Sequence, residues 1–174
     1  MILARWLRFA WDLKLLSLEE PVLAPPYWIR RAEKADLRRV SDLLLSNLAL
    51  DTDWTDLLQE MRVPLEEEIE SVFEEKKIPC LLVMLGQTMV AASTLDLNAD
   101  SPNHLVSGPS VTAEYRNRGI GSALLYHSLR YLKNNGLECA YGITRAGVPT
   151  AKFLYTKFNS TVKPSELEPL AVSS

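Results

Sequence analysis

Cysteine and histidine are scarce in this chain, with two of each among 174 residues. Cys80 and Cys139 sit inside apolar runs, which points to separate thiols and away from a disulfide framework. With only His104 and His127 beside them, no zinc-like spacing exists, so no metal site is expected. No apolar run approaches the roughly 20 residues that a membrane-spanning helix needs. At the N-terminus, Arg5, Arg8 and Asp12 interrupt the apolar residues, whereas a secretory signal keeps an unbroken apolar stretch; a cytoplasmic location is therefore expected. Two nucleotide signatures are missing as well. No Gly-Lys-Ser/Thr follows a glycine loop, and no three spaced glycines open a helix.

Charge is small in total and uneven along the chain. The net charge of −3 divides into +3 over residues 1–40, −10 over 41–100 and +4 over 101–174. An acidic chain argues against generic nucleic-acid binding, which depends on phosphate neutralisation. The acidic middle suits an amine-bearing acceptor if it lines a cleft, and equally suits a solvated helix face.

What is present centres on residues 111–132, VTAEYRNRGIGSALLYHSLRYL. Ile120, Leu124, Leu125, Leu129 and Leu132 recur at spacings of three and four, which predicts one apolar face of a helix. Asn135-Gly136 supplies its stop. The entry, Arg116-Asn117-Arg118-Gly119-Ile120-Gly121-Ser122, places small residues and two cations where a helix exposes unpaired N–H groups. Backbone amides, the helix dipole and missing side chains together make a seat for an anion such as phosphate. Read as a turn alone, the same residues describe a tight bend with solvated arginines.

Around this stretch the pattern predicts one domain with a short extension. Residues 1–16 read as an amphipathic helix, expected to pack on the domain or on a second subunit, which makes a homodimer one expectation. Residues 19–26, with three prolines, read as a linker. Tyr27–Arg31 is a predicted strand, and Asp36 a predicted N-cap for a helix with Leu37, Val40, Leu44 and Leu48 as its stripe. Pro64 is expected to open a second helix whose core face is Leu65, Ile69, Val72 and Phe73. Residues 80–85 and 88–97 form a hairpin across Gly86-Gln87. Residues 104–113 make a further strand bent at Gly108-Pro109. Residues 138–144 make another strand, 149–158 a short helix, and Thr161 onward a strand remnant. The fold class is mixed α/β (α+β), a mostly antiparallel sheet flanked by helices, with residues 1–26 preceding a domain over 27–174.

Arg116-x-x-Gly119-x-Gly121, preceded by Val111-x-Ala113 on a strand and followed by a long helix, resembles motif A of the Gcn5-related N-acetyltransferase (GNAT) superfamily. The element order agrees with that fold over roughly residues 27–170. The resemblance implies acetyl-CoA as acyl donor, bound by Val111, Ala113, Arg116, Asn117, Arg118, Gly119, Ile120, Gly121 and Ser122, with its pyrophosphate cradled by the turn. It implies free amides on a splayed strand at Ser110 to Ala113 as donors to the thioester oxygen. Ala151 to Lys157 resembles motif B, with Tyr155 as the acid that protonates the departing thiolate. Three positions depart from the family's pattern: Val148 stands where an asparagine is usual, and Asn159 and Ser160 replace a glycine and an aromatic. No general base declares itself among Glu114, Asp96, His104 and Asp53. The expected activity is acetyl transfer to a primary amine of a small molecule or peptide. The other reading of the same resemblance is a coenzyme-binding regulatory module with little catalysis.

Overall fold

The computed structural model describes residues 6–169. Seven strands form two antiparallel sheets. The first holds β2 (Tyr27–Arg31), β3 (Cys80–Leu85), β4 (Thr88–Thr94) and the two-residue β5 (Ser110–Val111), in that order. The second places β1 (Trp6–Asp12) between β6 (Cys139–Arg145) and β7 (Thr161–Ser165). Helices α1 (Leu37–Leu50) and α2 (Leu58–Glu74) cover one face of the first sheet, where Val40, Leu44, Ile69, Val72 and Phe73 bury against Cys80, Leu82 and Met84. Helix α3 (Ile120–Asn134) serves both sheets. Ile120 and Leu124 in its first turns join Leu81, Val83 and Ala91 of the first sheet, while Leu125, Leu129 and Leu132 join Phe9, Trp11 and Ala140 of the second.

The expected N-terminal helix is a strand where it is described; residues 1–5 lie outside the described residues. Leu7-Arg8-Phe9-Ala10-Trp11-Asp12 alternates apolar with smaller or polar side chains, and that period of two is the one the fold uses. Phe9 and Trp11 bury in the core, and Arg8 turns out over the Tyr141 ring, 4.5 Å from its centroid. Isolated from its neighbours the segment fits either period. Ladders from β6 on one side and β7 on the other decide for the strand. Residues 6–12 are thus the centre of the second sheet, and the helix that motivated a homodimer is not there. After β1 the chain crosses the outer side of α3, where Tyr126 Oη donates to the Ser17 carbonyl at 2.7 Å and Arg130 pairs with Glu20.

Three boundaries differ from expectation. Helix α2 starts at Leu58, with Pro64 inside it; the carbonyl that loses a donor to that proline belongs to exposed Glu60, where water satisfies it. Asp36 does not cap α1. It closes a one-turn 3₁₀ segment (Lys34–Asp36) by accepting the Glu33 N–H at 2.8 Å, and its two oxygens take Arg30 at 2.7 and 2.9 Å. The expected strand over 104–113 keeps a ladder only at Ser110–Val111, with one bridge from Leu105 to Leu95. Between them Gly108 turns through φ +62, and the Ser107 hydroxyl accepts the Thr94 N–H in place of backbone. The hairpin, the α3 boundaries with the Asn135-Gly136 stop, and the strands at 27–31 and near 138–144 stand as expected.

The Arg30–Asp36 pair is the most buried charge pair among the described residues, with Asp36 only 6% exposed. Asp36→Asn is expected to cost about 2 kcal/mol at pH 7, since it leaves a half-buried guanidinium without its anion. Arg30, with the Glu33 N–H, holds the Asp36 carboxyl below the usual carboxylate range. Its contribution is therefore complete above the unfolded value of about 4 and fades as pH falls through the folded one. Urea titrations of wild type and variant should converge below about pH 4; a stability gap that stays constant down to pH 3 would show that the charge is not what matters.

Candidate active site

The two sheets meet at one place and part. Both His104 N–H and Leu105 N–H donate to the Tyr141 carbonyl, at 2.8 and 3.1 Å. Tyr141 N–H donates to His104 Nδ1 at 2.9 Å, and Ile143 N–H to Asn103 Oδ1 at 3.0 Å. Beyond these bonds β5 and β6 have no common ladder. Tyr155 stands in the gap. It follows a π-helical turn (Thr150–Leu154) closed by its own N–H on the Thr150 carbonyl, and its ring is 2% exposed. The ring meets Phe9 and Trp11 edge-on at 5.6 and 5.4 Å. Two glycines make room for it. A Cβ on Gly108 would lie 2.5 Å from Tyr155 Oη, and one on Gly142 would lie 3.0 Å from its Cε2. The phenol is a wedge between the sheets.

The splayed edge leaves an amide facing the gap. Thr112 N–H donates to the Val90 carbonyl, so in this antiparallel register Val111 points its own N–H and C=O away from β4. Arg116 Nε takes that carbonyl at 3.1 Å. The Val111 N–H points away from β4, and Val111 lines the same cavity as Gly108 and Tyr155. Tyr155 Oη has no hydrogen-bond partner among the described residues and is not sealed from the cleft. Burial alone pushes its pKa well above the usual phenol value, so it keeps its proton throughout the neutral range.

At the start of α3 the turn has the predicted shape. Asn117 and Gly119 both take left-handed backbone, φ +63 and +78, and the first intrahelical bond runs from Ala123 N–H to the Gly119 carbonyl. That leaves the N–H groups of Ile120, Gly121 and Ser122 without helical partners. A Cβ on Gly121 would touch Val111 and Leu154 at 3.8 Å, so this residue sits where the two walls of the cleft come closest to the helix.

These parts surround one cavity of about 510 Å³. Val111, Arg116, Asn117, Gly119, Ile120, Gly121, Ser122 and Tyr155 all line it, as does Val148. Ala113 and Arg118 do not. Arg118 braces the turn from outside, bonded to Tyr27 Oη at 3.0 Å and the Glu114 carbonyl at 3.2 Å. Asn159 adopts φ +60, the conformation a glycine at this place would supply. At its other end the cavity is bounded by α1, α2 and the loop between them: Leu44, Asn47, Leu48, Asp51, Asp53, Trp54 and Met61. From the sequence this end was legible only as an acidic stretch that would suit an amine if it lined a cleft, and through Asp53 as a candidate base. A clasp holds the loop over the second sheet. Arg145 grips both Asp56 oxygens at 2.7 and 2.9 Å and the Asp53 carbonyl at 2.8 Å, and Trp54 lies 5.8 Å from the Trp6 ring.

The base candidates separate clearly. His104 is fully buried, with Nδ1 accepting from Tyr141 and Nε2 donating to the Asn98 carbonyl at 3.0 Å. Burial lowers its pKa, and both nitrogens are occupied in joining the sheets. Glu114 and Asp96 lie outside the cavity lining, whereas Asp53 is part of it.

A mixed α/β fold with two splayed antiparallel sheets, a glycine turn at a helix N-terminus and a phenol in the cleft defines an acyltransferase-like architecture. The sequence model of the "Acetyltransferase (GNAT) family" matches residues 46–159, well over half of the chain. The chain belongs to that family. No curated protein sequence matches it. Among solved structures, a GNAT-family acetyltransferase from Colwellia psychrerythraea aligns with TM-score 0.65 and 17% identity over 93% of this chain and 54% of its own. A GCN5-related N-acetyltransferase from Sphaerobacter thermophilus gives 0.59 and 17%, over 92% and 49%. A Drosophila protein gives 0.62 and 14%, over 92% and 49%. The chain therefore spans about half the length of these structures, and at such identities they show the fold.

Gly108→Ala tests the wedge. The new methyl needs both left-handed backbone and the space of the phenol oxygen, so a loss of about 2–4 kcal/mol in urea unfolding is expected. Gly136→Ala, also at positive φ but with nothing within 4 Å, should lose only about 1 kcal/mol. Equal losses for both would mean that Tyr155 moves aside freely.

Proposed function

We propose that the protein transfers an acetyl group from acetyl-CoA directly to a primary amine. The observation that carries this reading is the convergence, on one cavity, of the Arg116–Ser122 turn, the outward Val111 N–H and the unpartnered Tyr155 hydroxyl. The coenzyme supplies an activated thioester. The turn fits a pyrophosphate because three first-turn N–H groups, the positive helix end and Arg116 converge where no side chain blocks approach. Arg116 keeps both terminal guanidinium nitrogens without a partner among the described residues.

At the reacting centre the Val111 N–H donates to the thioester oxygen as negative charge grows there. The amine nitrogen bonds to the carbonyl carbon, the carbon–sulfur bond breaks, and the sulfur takes a proton held at Tyr155 Oη. The proton lost by the amine goes to water or, through water, to Asp53 at the cavity wall. Tyr155 suits the acid role because burial keeps it protonated and no neighbour claims its hydroxyl. Val148, buried and apolar, offers the coenzyme contact surface but no hydrogen bond.

Two variants test the assignment. Gly121→Trp should plug the cleft and abolish binding of acetyl-CoA in calorimetry. Tyr155→Phe keeps the wedge and deletes only the unpartnered oxygen, so folding and coenzyme binding should persist while turnover falls about 100-fold. Unchanged turnover would remove Tyr155 from the mechanism. Tight coenzyme binding with no acetylation of any amine would favour a regulatory module instead.

A further inference from the structure

The acceptor end of the cavity carries a polar group that its surroundings do not explain. Asn47 lies on the inward stripe of α1 between Leu44 and Leu48, and is 8% exposed. Its Nδ2 donates to Ser110 Oγ at 2.9 Å, while Oδ1 has no partner among the described residues and faces the cavity that Asn47 lines. That oxygen is not sealed from the cavity, so an N–H from a ligand can reach it. Ser110 precedes Val111, so Asn47 is tied to the residue next to the amide that faces the thioester oxygen.

Charge and shape at this end restrict what can bring that N–H. Leu48, Trp54 and Met61 supply apolar wall. Its ionisable side chains are Asp51 and Asp53, neither of which has a cationic partner among the described residues. Arg145 nearby is engaged by Asp56. The cavity's other cations are Arg116, in the α3 turn, and Lys157, just beyond the π-helical turn and Tyr155. Among the described residues, the α1–α2 part of the lining contributes no lysine or arginine.

We infer that the acceptor is a primary amine on an apolar arm that bears no carboxylate, with its nitrogen positioned by Asn47 Oδ1. This rests on the acetyl-transfer reading and narrows it. Asp51 and Asp53 draw the ammonium form toward the mouth, the arm lies along Leu48, Trp54 and Met61, and Asn47 orients the nitrogen toward the carbonyl carbon beside Val111. An α-amino acid with the same arm would bring its carboxylate against the Asp51 and Asp53 carboxylates.

The test compares 2-phenylethylamine with phenylalanine, which differ in one carboxylate, at millimolar concentrations with saturating acetyl-CoA. Wild type should favour the amine at least tenfold in kcat/KM. Asp51→Asn, a change in a partly exposed loop residue that leaves the core intact, should narrow that ratio at least threefold. Asn47→Leu should raise KM for the amine at least tenfold while calorimetry shows acetyl-CoA bound as in wild type, a split that mere loosening of α1 would not produce. Equal or better use of phenylalanine overturns the proposal, as does acetyl-CoA binding with neither probe acetylated. Failure to bind acetyl-CoA at all would instead remove the acetyl-transfer reading on which it stands.

Discussion

The structure depends on a single steric arrangement: an aromatic ring held between two sheets that would otherwise zip together. The segment leading into β5 begins to pair with β6 through His104, Leu105 and Tyr141, and every further ladder bond would extend the sheet across the gap. Tyr155 prevents this by filling the space beside Gly108 and Gly142, with Phe9 and Trp11 behind it. The cost of forgoing backbone bonds is offset by burial of three aromatic rings, each worth a few kcal/mol of transfer energy. From the same wedge come the open edge, the outward amide of Val111 and a phenol lining the same cavity.

Helix α3 makes this separation permanent. Its first turns are packed on one sheet and its later turns on the other, so its N-terminus is held at the mouth of the gap. Positive potential from the helix end and Arg116 then faces the side on which a pyrophosphate would lie. Across the cavity, the α1–α2 loop brings Asp51 and Asp53, which have no salt-bridge partner among the described residues, and is clasped in place by Arg145 on Asp56. One cavity thus has electropositive and electronegative ends, with the phenol and the free amide between them. In the acetyl-transfer proposal, such polarity would orient an anionic donor and a cationic acceptor toward each other before any contact is made at the reacting atoms.

Much of the α3 region was legible because local rules govern it. A period near 3.6, glycines at the entry and Asn135-Gly136 at the exit each act through nearest neighbours, and the helix runs over Ile120–Asn134 as those signals require. The motif residues were also legible, except that spacing could not tell an inward arginine from an outward one. Arg116 faces the cavity and Arg118 braces the turn on Tyr27, a residue 91 positions away in sequence. His104 was legible only as a titratable group; its burial and its two hydrogen bonds come from segments meeting in space.

By itself the sequence determined the mixed α/β class, the hairpin at Gly86 and the glycine turn with its following helix, which rest on periodicity and turn chemistry, whose energies are local; Tyr155 was marked through the resemblance to motif B. Only the tertiary structure decided that residues 6–12 are a central strand, because their alternation and their helical stripe are nearly balanced until β6 and β7 supply hydrogen bonds on both edges. It alone brought Asn47, Asp51 and Trp54 to the cavity that Tyr155 and Val111 occupy. Their positions depend on the packing of α1 and α2 against the first sheet and on the clasp to Arg145, contacts between residues far apart in the chain that no local pattern encodes.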